Sequence, residues 1–265
     1  MTLYINTNSV NVSVTDSVAT VTLNRPRVHN AWDDTLGAGL ERVFTALSAD
    51  EDVRCIVLTG EGPTFCSGAD LAPGFPQLPS GHDDLRGTLR RRFHPAFLAL
   101  LDAAKPVIAA VNGPAIGAGA CLALASDIAI MSRSAYMQFR FSAIGLMPDV
   151  GATALLASAV GATRAIEIFM LAEKIVAEEC RSLGLVSRIA DDVADDAHEL
   201  ARRLAHGPTR AYATTKAAVH RWSRQAFADQ LELEAGLQQT LIATDDWAEG
   251  RAAFLEHRTP TFAGR

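Results

Sequence analysis

The stretch Lys105-Pro-Val-Ile-Ala-Ala-Val-Asn-Gly113, continued by Pro114-Ala-Ile-Gly-Ala-Gly-Ala120 and running on to Met131, decides the fold. From Pro106 to Ser126 no residue is charged, a run nearly long enough to cross a bilayer. Asn112-Gly113-Pro114 interrupts it, and Gly117 and Gly119 follow. The run therefore divides into a buried strand at Pro106–Val111, a turn, and a helix of very small residues at Ile116–Ala125. Asp127–Met131 reads as another strand. A soluble layered protein is expected, with no membrane partner.

Upstream of this unit, Val10–Val14 and Ala19–Leu23 alternate apolar and polar residues around Thr15-Asp16-Ser17, the pattern of a hairpin. Asp33 or Asp34 caps a helix carrying Leu36, Leu40, Val43, Phe44 and Leu47 at helical spacing. Cys55-Ile-Val-Leu-Thr59 is a short apolar run of the kind covered on both faces. After a loop rich in Gly and Pro, Leu85, Leu89, Phe93, Phe97 and Leu100 define one helix, interrupted by Pro95. Strands alternating with helices predict an α/β core.

Downstream, from about Asp149, the periods turn helical almost throughout, over 152–160, 164–171, 177–183, 192–204, 210–224 and 228–244. The division expected is an α/β core over residues 1–200 and a helical region over 201–265. No repeat at solenoid period is visible.

Composition removes several classes of function. With 265 residues, 49% hydrophobic and 20% charged, the chain is long enough for one sizeable core, which excludes disorder and collagen-like repetition. Thirty acidic against 24 basic residues give a net charge of −6, and no basic cluster tracks a phosphate backbone, so no nucleic-acid partner is expected. The four cysteines, Cys55, Cys66, Cys121 and Cys180, form no C-x-x-C pair and stand beside no histidine at ligand spacing. That pattern predicts reduced thiols, no metal and no disulfide framework. The start Met1-Thr-Leu-Tyr-Ile-Asn has no basic region before an apolar one, and a cytoplasmic location is expected.

Two small-residue turns each follow a buried strand: Phe65-Cys-Ser-Gly-Ala-Asp-Leu71 and Val111-Asn-Gly-Pro-Ala-Ile-Gly-Ala-Gly-Ala120. Such turns pack tightly against a sheet, and they also let a ligand approach backbone N–H groups closely. Together with Asn24-Arg-Pro26, Asn30-Ala31, Ala125-Ser-Asp-Ile128, Gly145-Leu-Met-Pro-Asp149, Gly184-Leu-Val-Ser187 and Glu249-Gly-Arg-Ala-Ala-Phe254, they make the chain resemble the enoyl-CoA hydratase/isomerase, or crotonase, superfamily over almost its whole length. The resemblance implies a crotonase (ClpP/crotonase-like) fold of repeated ββα units with a helical C-terminal trimerisation region. It also implies an acyl-CoA thioester as partner, coenzyme A as part of the substrate with no separate cofactor, and a homotrimer or dimer of trimers.

By the same resemblance the N–H groups of Ala69 and Ala118 form an oxyanion hole for the thioester carbonyl. An enolate made by removing an α proton carries its charge on that oxygen, and fixed donors stabilise it. Hydratases of the superfamily present two glutamates, but those positions align here with Cys121 and Phe141, a thiol and a phenyl ring. What remains is Asp149. Standing after Pro148 at a helix start, it reads by itself as an N-cap; the resemblance to aspartate-dependent isomerases, the ring 1,2-epoxyphenylacetyl-CoA isomerase type among them, makes it a single acid/base. One carboxylate suffices for a double-bond shift.

Three alternatives stand beside that reading: enoyl-CoA hydration; dehalogenase- or hydrolase-like chemistry, with Asp149 as nucleophile and His94 assisting water; and non-catalytic acyl-CoA binding. The resemblance assigns coenzyme A contacts to the stretch around Arg25, Arg27 and Val28, to the backbone of Cys66, Ser67, Gly68, Asp70 and Leu71, and to Phe254. It places His94, Gly117, Cys121 and Phe141 about the acyl group.

Overall fold

The computed structural model describes residues 7–265, and of residues 220–225 the backbone alone. The first six residues, on which the reading of the amino terminus rests, lie outside the described residues. Strands β1 (Val10–Thr15) and β2 (Val18–Leu23) form the expected hairpin, with Asp16 and Ser17 both at positive φ in its turn. Helix α1 (Asp34–Ala49) is capped by Asp33, whose carboxylate accepts from the Leu36 N–H at 2.8 Å. Strand β3 (Cys55–Gly60) then pairs parallel to β2.

The long helix expected from Leu85 is built in three pieces: α2 (Leu85–Thr88), a wider π turn at Leu89–Phe93, and α3 (His94–Asp102). Pro95 has no N–H to give the preceding turn and its ring crowds that turn's carbonyls, so the helix widens just upstream. Strand β4 (Val107–Val111) is followed by a two-residue strand β5 (Ala115–Ile116), and α4 (Ala118–Ala125) starts two residues later than its small-residue pattern suggested. Strands β6 (Ile128–Ser132) and β7 (Tyr136–Gln138) complete this half.

The second half holds α5 (Ala152–Val160), α6 (Ala162–Leu171), β8 (Lys174–Val176), α7 (Ala177–Ser182), β9 (Arg188–Ala190), α8 (Val193–Ala205), α9 (Thr209–Leu241) and α10 (Asp245–Leu255). Two corrections to the sequence reading follow. Strands β8 and β9 were not expected, because three residues are too few to show an alternation. The helices expected over 210–224 and 228–244 are one, since no Gly or Pro separates them.

The main sheet has the order β1-β2-β3-β4-β6-β9, antiparallel only at the hairpin, and a small sheet runs β5-β7-β8. Adjacent residues of β3 face opposite sides. Cys55 and Val57 join Val18, Ile108, Ala110 and Ile130 against Val193, Ala197, Leu200 and Ala201 of α8. Ile56 and Leu58 face the larger core with Leu40, Phe44, Phe97 and Leu122. Helix α8 thus runs through residue 200 and covers one face of the sheet. Both faces of the parallel strands are dry, which is why their sequences are nearly continuous apolar runs. Among the described residues no helix is long and apolar enough to cross a membrane.

Candidate active site

The two small-residue turns lie side by side. The Ile116 N–H donates to the Cys66 carbonyl at 2.9 Å and the Cys66 N–H to the Pro114 carbonyl at 3.2 Å. Residues 68–70 lie alongside Trp32, whose N–H donates to the Gly68 carbonyl at 2.7 Å and whose carbonyl accepts from the Asp70 N–H at 3.0 Å. Because successive residues of an extended chain point their polar groups to opposite sides, the Ala69 N–H faces away from Trp32. Trp32 is itself fixed by stacking on Phe93 at 5.2 Å and Phe97 at 5.5 Å and by its indole N–H on the Arg92 carbonyl at 3.1 Å.

The Ala118 N–H is the first of helix α4, where the first turn leaves N–H groups without intrahelical acceptors and the dipole favours negative charge. Gly117 reaches that start through φ 52°, ψ −119°, a conformation open to glycine and closed to side-chained residues. Gly68 also has positive φ, and a Cβ there would sit 2.9 Å from the Ile116 carbonyl oxygen and 3.6 Å from the Ala118 nitrogen. Among the described residues, neither the Ala69 nor the Ala118 N–H has a hydrogen-bond acceptor. Two amides that have no partner, on either side of a slot too narrow for a methyl, can receive one oxygen that is gaining charge.

The slot opens into a cavity of about 360 Å³. Its wall includes Phe75, Leu85, Leu89, Phe93, Phe141, Ile144 and Leu146, with Val28 and Phe254 at the rim. The helical face of Leu85, Leu89 and Phe93 was legible as a period; that it lines a cavity was not. Two carboxyls lie on the wall. Asp70 is ion-paired with Arg25 at 3.1 Å. Asp149 is 8% exposed, and burial, only partly offset by a hydrogen bond from Gln238, pushes its pKa up to about 7 with a further upward push from the Glu234 charge.

Asp149 is not the cap of α5. Its side chain bonds no helix N–H; the N–H groups of Gly151 and Thr153 donate instead to Glu234 of α9, at 2.7 and 3.2 Å. The Gln238 amide donates to Asp149 Oδ2 at 2.8 Å. The other oxygen, Oδ1, has no hydrogen bond among the described residues and is not sealed from the cavity. Glu234 and Gln238 are both fully buried and were missed in the sequence. A signal existed: they fall on the stripe Leu231, Ala235, Ile242 at helical spacing, where a polar residue must find a partner.

With this geometry in view, a sequence model of the enoyl-CoA hydratase/isomerase family matches residues 13–265. The chain belongs to that family. It is 42% identical over 262 residues, 97% of its length and 99% of the relative's, to a probable enoyl-CoA hydratase of Rhodobacter capsulatus. It is 38% identical over 254 residues, 95% of its length and 97% of the relative's, to the 1,2-epoxyphenylacetyl-CoA isomerase of Escherichia coli. The crystal structure of an enoyl-CoA hydratase from Mycobacterium avium subsp. paratuberculosis superposes with a TM-score of 0.86 at 32% identity, covering 96% of this chain and 98% of that one. The crotonase fold expected from the motifs is therefore the fold found.

Of the residues singled out in the sequence, the enoyl-CoA hydratase/isomerase fold gathers Val28, Ser67, Gly68, Ala69, Asp70, Leu71, Gly117, Ala118, Phe141, Asp149 and Phe254 on the cavity wall. Five expected there are not on it. Cys66 and Cys121 are fully buried behind the turns, and burial pushes the Cys66 thiol up to about 12 and the Cys121 thiol well above its ordinary value, so both side chains act as small packing groups. The Arg25 guanidinium is turned inward, onto Asp33, Asp70 and the Ala31 carbonyl. Arg27 is exposed beyond the rim. His94 is buried in α3 with its Nε2 unpartnered; burial pushes its pKa down to about 4, so the ring is neutral near pH 7. Arg140, on the wall, was not anticipated.

The turns are held from behind by two asparagines. Asn30 donates to the carbonyls of Glu61, Thr64 and Phe65 and accepts from the Arg25 N–H at 2.9 Å. Asn112 donates to the carbonyls of Gly60 and Gly62 at 2.9 and 2.8 Å and accepts from the Gly60 N–H. Both stand in motifs that the sequence marked, and their part is to shape backbone.

Proposed function

We propose that the enzyme shifts a carbon–carbon double bond in an enoyl-CoA thioester, with Asp149 as the single acid/base and the Ala69 and Ala118 amides as donors to the thioester oxygen. Coenzyme A enters as part of the substrate, and the chemistry rests on amides and one carboxyl of this chain. Asp149 takes a proton from the α carbon of a 3-enoyl thioester, the electron pair delocalises onto the carbonyl oxygen between the two amides, and the same carboxyl returns the proton at the γ carbon. The observation that carries this reading is a desolvated, singly anchored carboxyl on an apolar wall, with a pKa near 7 that suits both taking and returning a proton. Hydration asks for two carboxyls around one water, and the two positions that carry them in hydratases hold here the buried Cys121 thiol and the Phe141 ring. A hydrolase-like route asks for His94, whose ring is not on the wall.

The test is solvent-deuterium incorporation at the α and γ carbons of a 3-enoyl-CoA. Wild type should exchange both, and Asp149→Asn should lose exchange by on the order of 10³-fold. Exchange unaffected by the substitution overturns the role of Asp149. Thioester binding without exchange in wild type would make this a binding protein, and release of a free acid would support the hydrolase-like route. The homotrimer, or dimer of trimers, is part of this proposal. The exposed apolar side chains Ile166, Met170, Leu171 and Val176 on α6 and β8 are consistent with assembly, and light scattering measures it.

A further inference from the structure

Two buried side chains of α9 make six hydrogen bonds to the residues around Asp149. Gln238 donates to the Met147 carbonyl at 2.7 Å and to Asp149 Oδ2 at 2.8 Å, and accepts from the Met147 N–H at 3.3 Å. Glu234 accepts from the Gly151 and Thr153 N–H groups and from the Thr153 hydroxyl, which is turned toward it because Gln230 donates to that oxygen at 2.7 Å. Burial raises the Glu234 pKa, and each hydrogen-bond partner it has among the described residues is a donor, which works the other way and favours the anion. Between these anchors Val150 sits at φ +49° and Gly151 at φ +84°. A buried β-branched residue in that region is strained and persists only where its surroundings over-determine it.

We propose that Gln238 is a positioning residue for Asp149: gripped by both polar groups of Met147, its amide fixes one carboxyl oxygen so that the other alone faces the substrate and both takes and returns the proton. This deepens the double-bond-shift reading and rests on it. Glu234 completes the device. By taking over the cap of α5 it frees Asp149 from the structural bond that a carboxylate in that position otherwise makes, and its charge raises the carboxyl's proton affinity while the Gln238 donor lowers it. The remaining groups about Asp149 are the Cys121 thiol of α4, neutral at any working pH, and on the shared wall Asp70, paired with Arg25, and Arg140.

The two residues therefore push Asp149 in opposite directions, which a purely structural role does not. Removing a donor from the ionised form raises its pKa, and removing a neighbouring anion lowers it. The experiment measures kcat, KM and the acid limb of the pH profile for the exchange reaction, with thermal melting of each variant. Gln238→Met should lower kcat on the order of ten- to a hundredfold with KM within about threefold, and move the acid limb to higher pH. Glu234→Gln should move the limb to lower pH. Should Gln238→Met not fold, Gln238→Asn, which keeps the amide but withdraws it by one methylene, is expected to show the same kcat loss and upward displacement. Variants that melt earlier but keep the wild-type kcat and acid limb, or whose limbs move together, overturn the proposal. Asp149→Asn separates the two levels: if it retains exchange the isomerase reading itself falls, and if it loses exchange while Gln238→Met keeps the wild-type profile, only the positioning role falls.

Discussion

Replacing Gly68 by alanine tests whether the slot between the two turns is the seat of the chemistry. Gly68 has φ +90°, where an L side chain is strained by about 1–3 kcal/mol. For a chain of this size that strain alone is a fall in Tm of roughly 3–10 °C. The new methyl would also meet the Ile116 carbonyl oxygen at 2.9 Å, where ordinary contacts begin at 3.4 Å. The turns must therefore part by about half an ångström, at the limit that a preorganised pair of donors tolerates. Loss of one oxyanion donor costs on the order of 10²–10³ in kcat, and Gly68→Ala should approach the lower figure with KM little changed. Gly81→Ala is the control, because Gly81 has φ +86° but a Cβ there meets nothing within 4 Å. It should lose stability and keep kcat. The assay follows formation of the conjugated thioester by ultraviolet absorbance at saturating 3-enoyl-CoA, beside thermal melting. A Gly68→Ala enzyme with kcat within threefold of wild type would refute the argument.

Two further outcomes concern stability. The folded pKa of Asp149, about 7, lies above its ordinary value of 3.8, so its contribution to stability is fully present below about pH 4 and is lost as pH rises through 7. Asp149→Asn should therefore gain in Tm over wild type at pH 8 and show the gap narrowing toward pH 4; a gap that is constant with pH would contradict the buried-carboxyl account. Lys216 of α9, with its side chain 8% exposed, pairs with Asp127 at 2.9 Å and donates to the Leu100 carbonyl at 3.2 Å, tying the long helix to the sheet. Lys216→Met takes that cation from Asp127, which is open to solvent and keeps its bond from the Val107 N–H, and should cost about 1 kcal/mol in denaturant unfolding, against no measurable loss if the pair is merely superficial.

Much of the fold was legible because its signals are local. The hairpin, the Asp33-capped helix and the dry strands β3, β4 and β6 each follow from periodicity, a capping side chain or an uncharged run. The site was legible where it is made of backbone: the small residues at 66–71 and 111–120 announce turns that something must approach closely. It was not legible where it depends on residues distant in sequence. Nothing near Asp149 says that its helix is capped from a position 85 residues later, that the Arg25 guanidinium turns inward to Asp70, or that the His94 ring lies off the wall. The π turn at Leu89–Phe93 is intermediate, since Pro95 foretold a break and only packing chose its form.

By itself, then, the sequence determined the alternation of strand and helix, the two glycine-bearing turns and the lone aspartate after Pro148, because each depends on conformational preferences of a few adjacent residues. The tertiary structure decided which N–H groups stay without acceptors, which carboxyl is desolvated and which is paired, and that α9 carries the polar side chains holding Asp149. Those are properties of what surrounds a group rather than of the group, and proton affinity and hydrogen-bond satisfaction depend on surroundings that only the folded chain assembles.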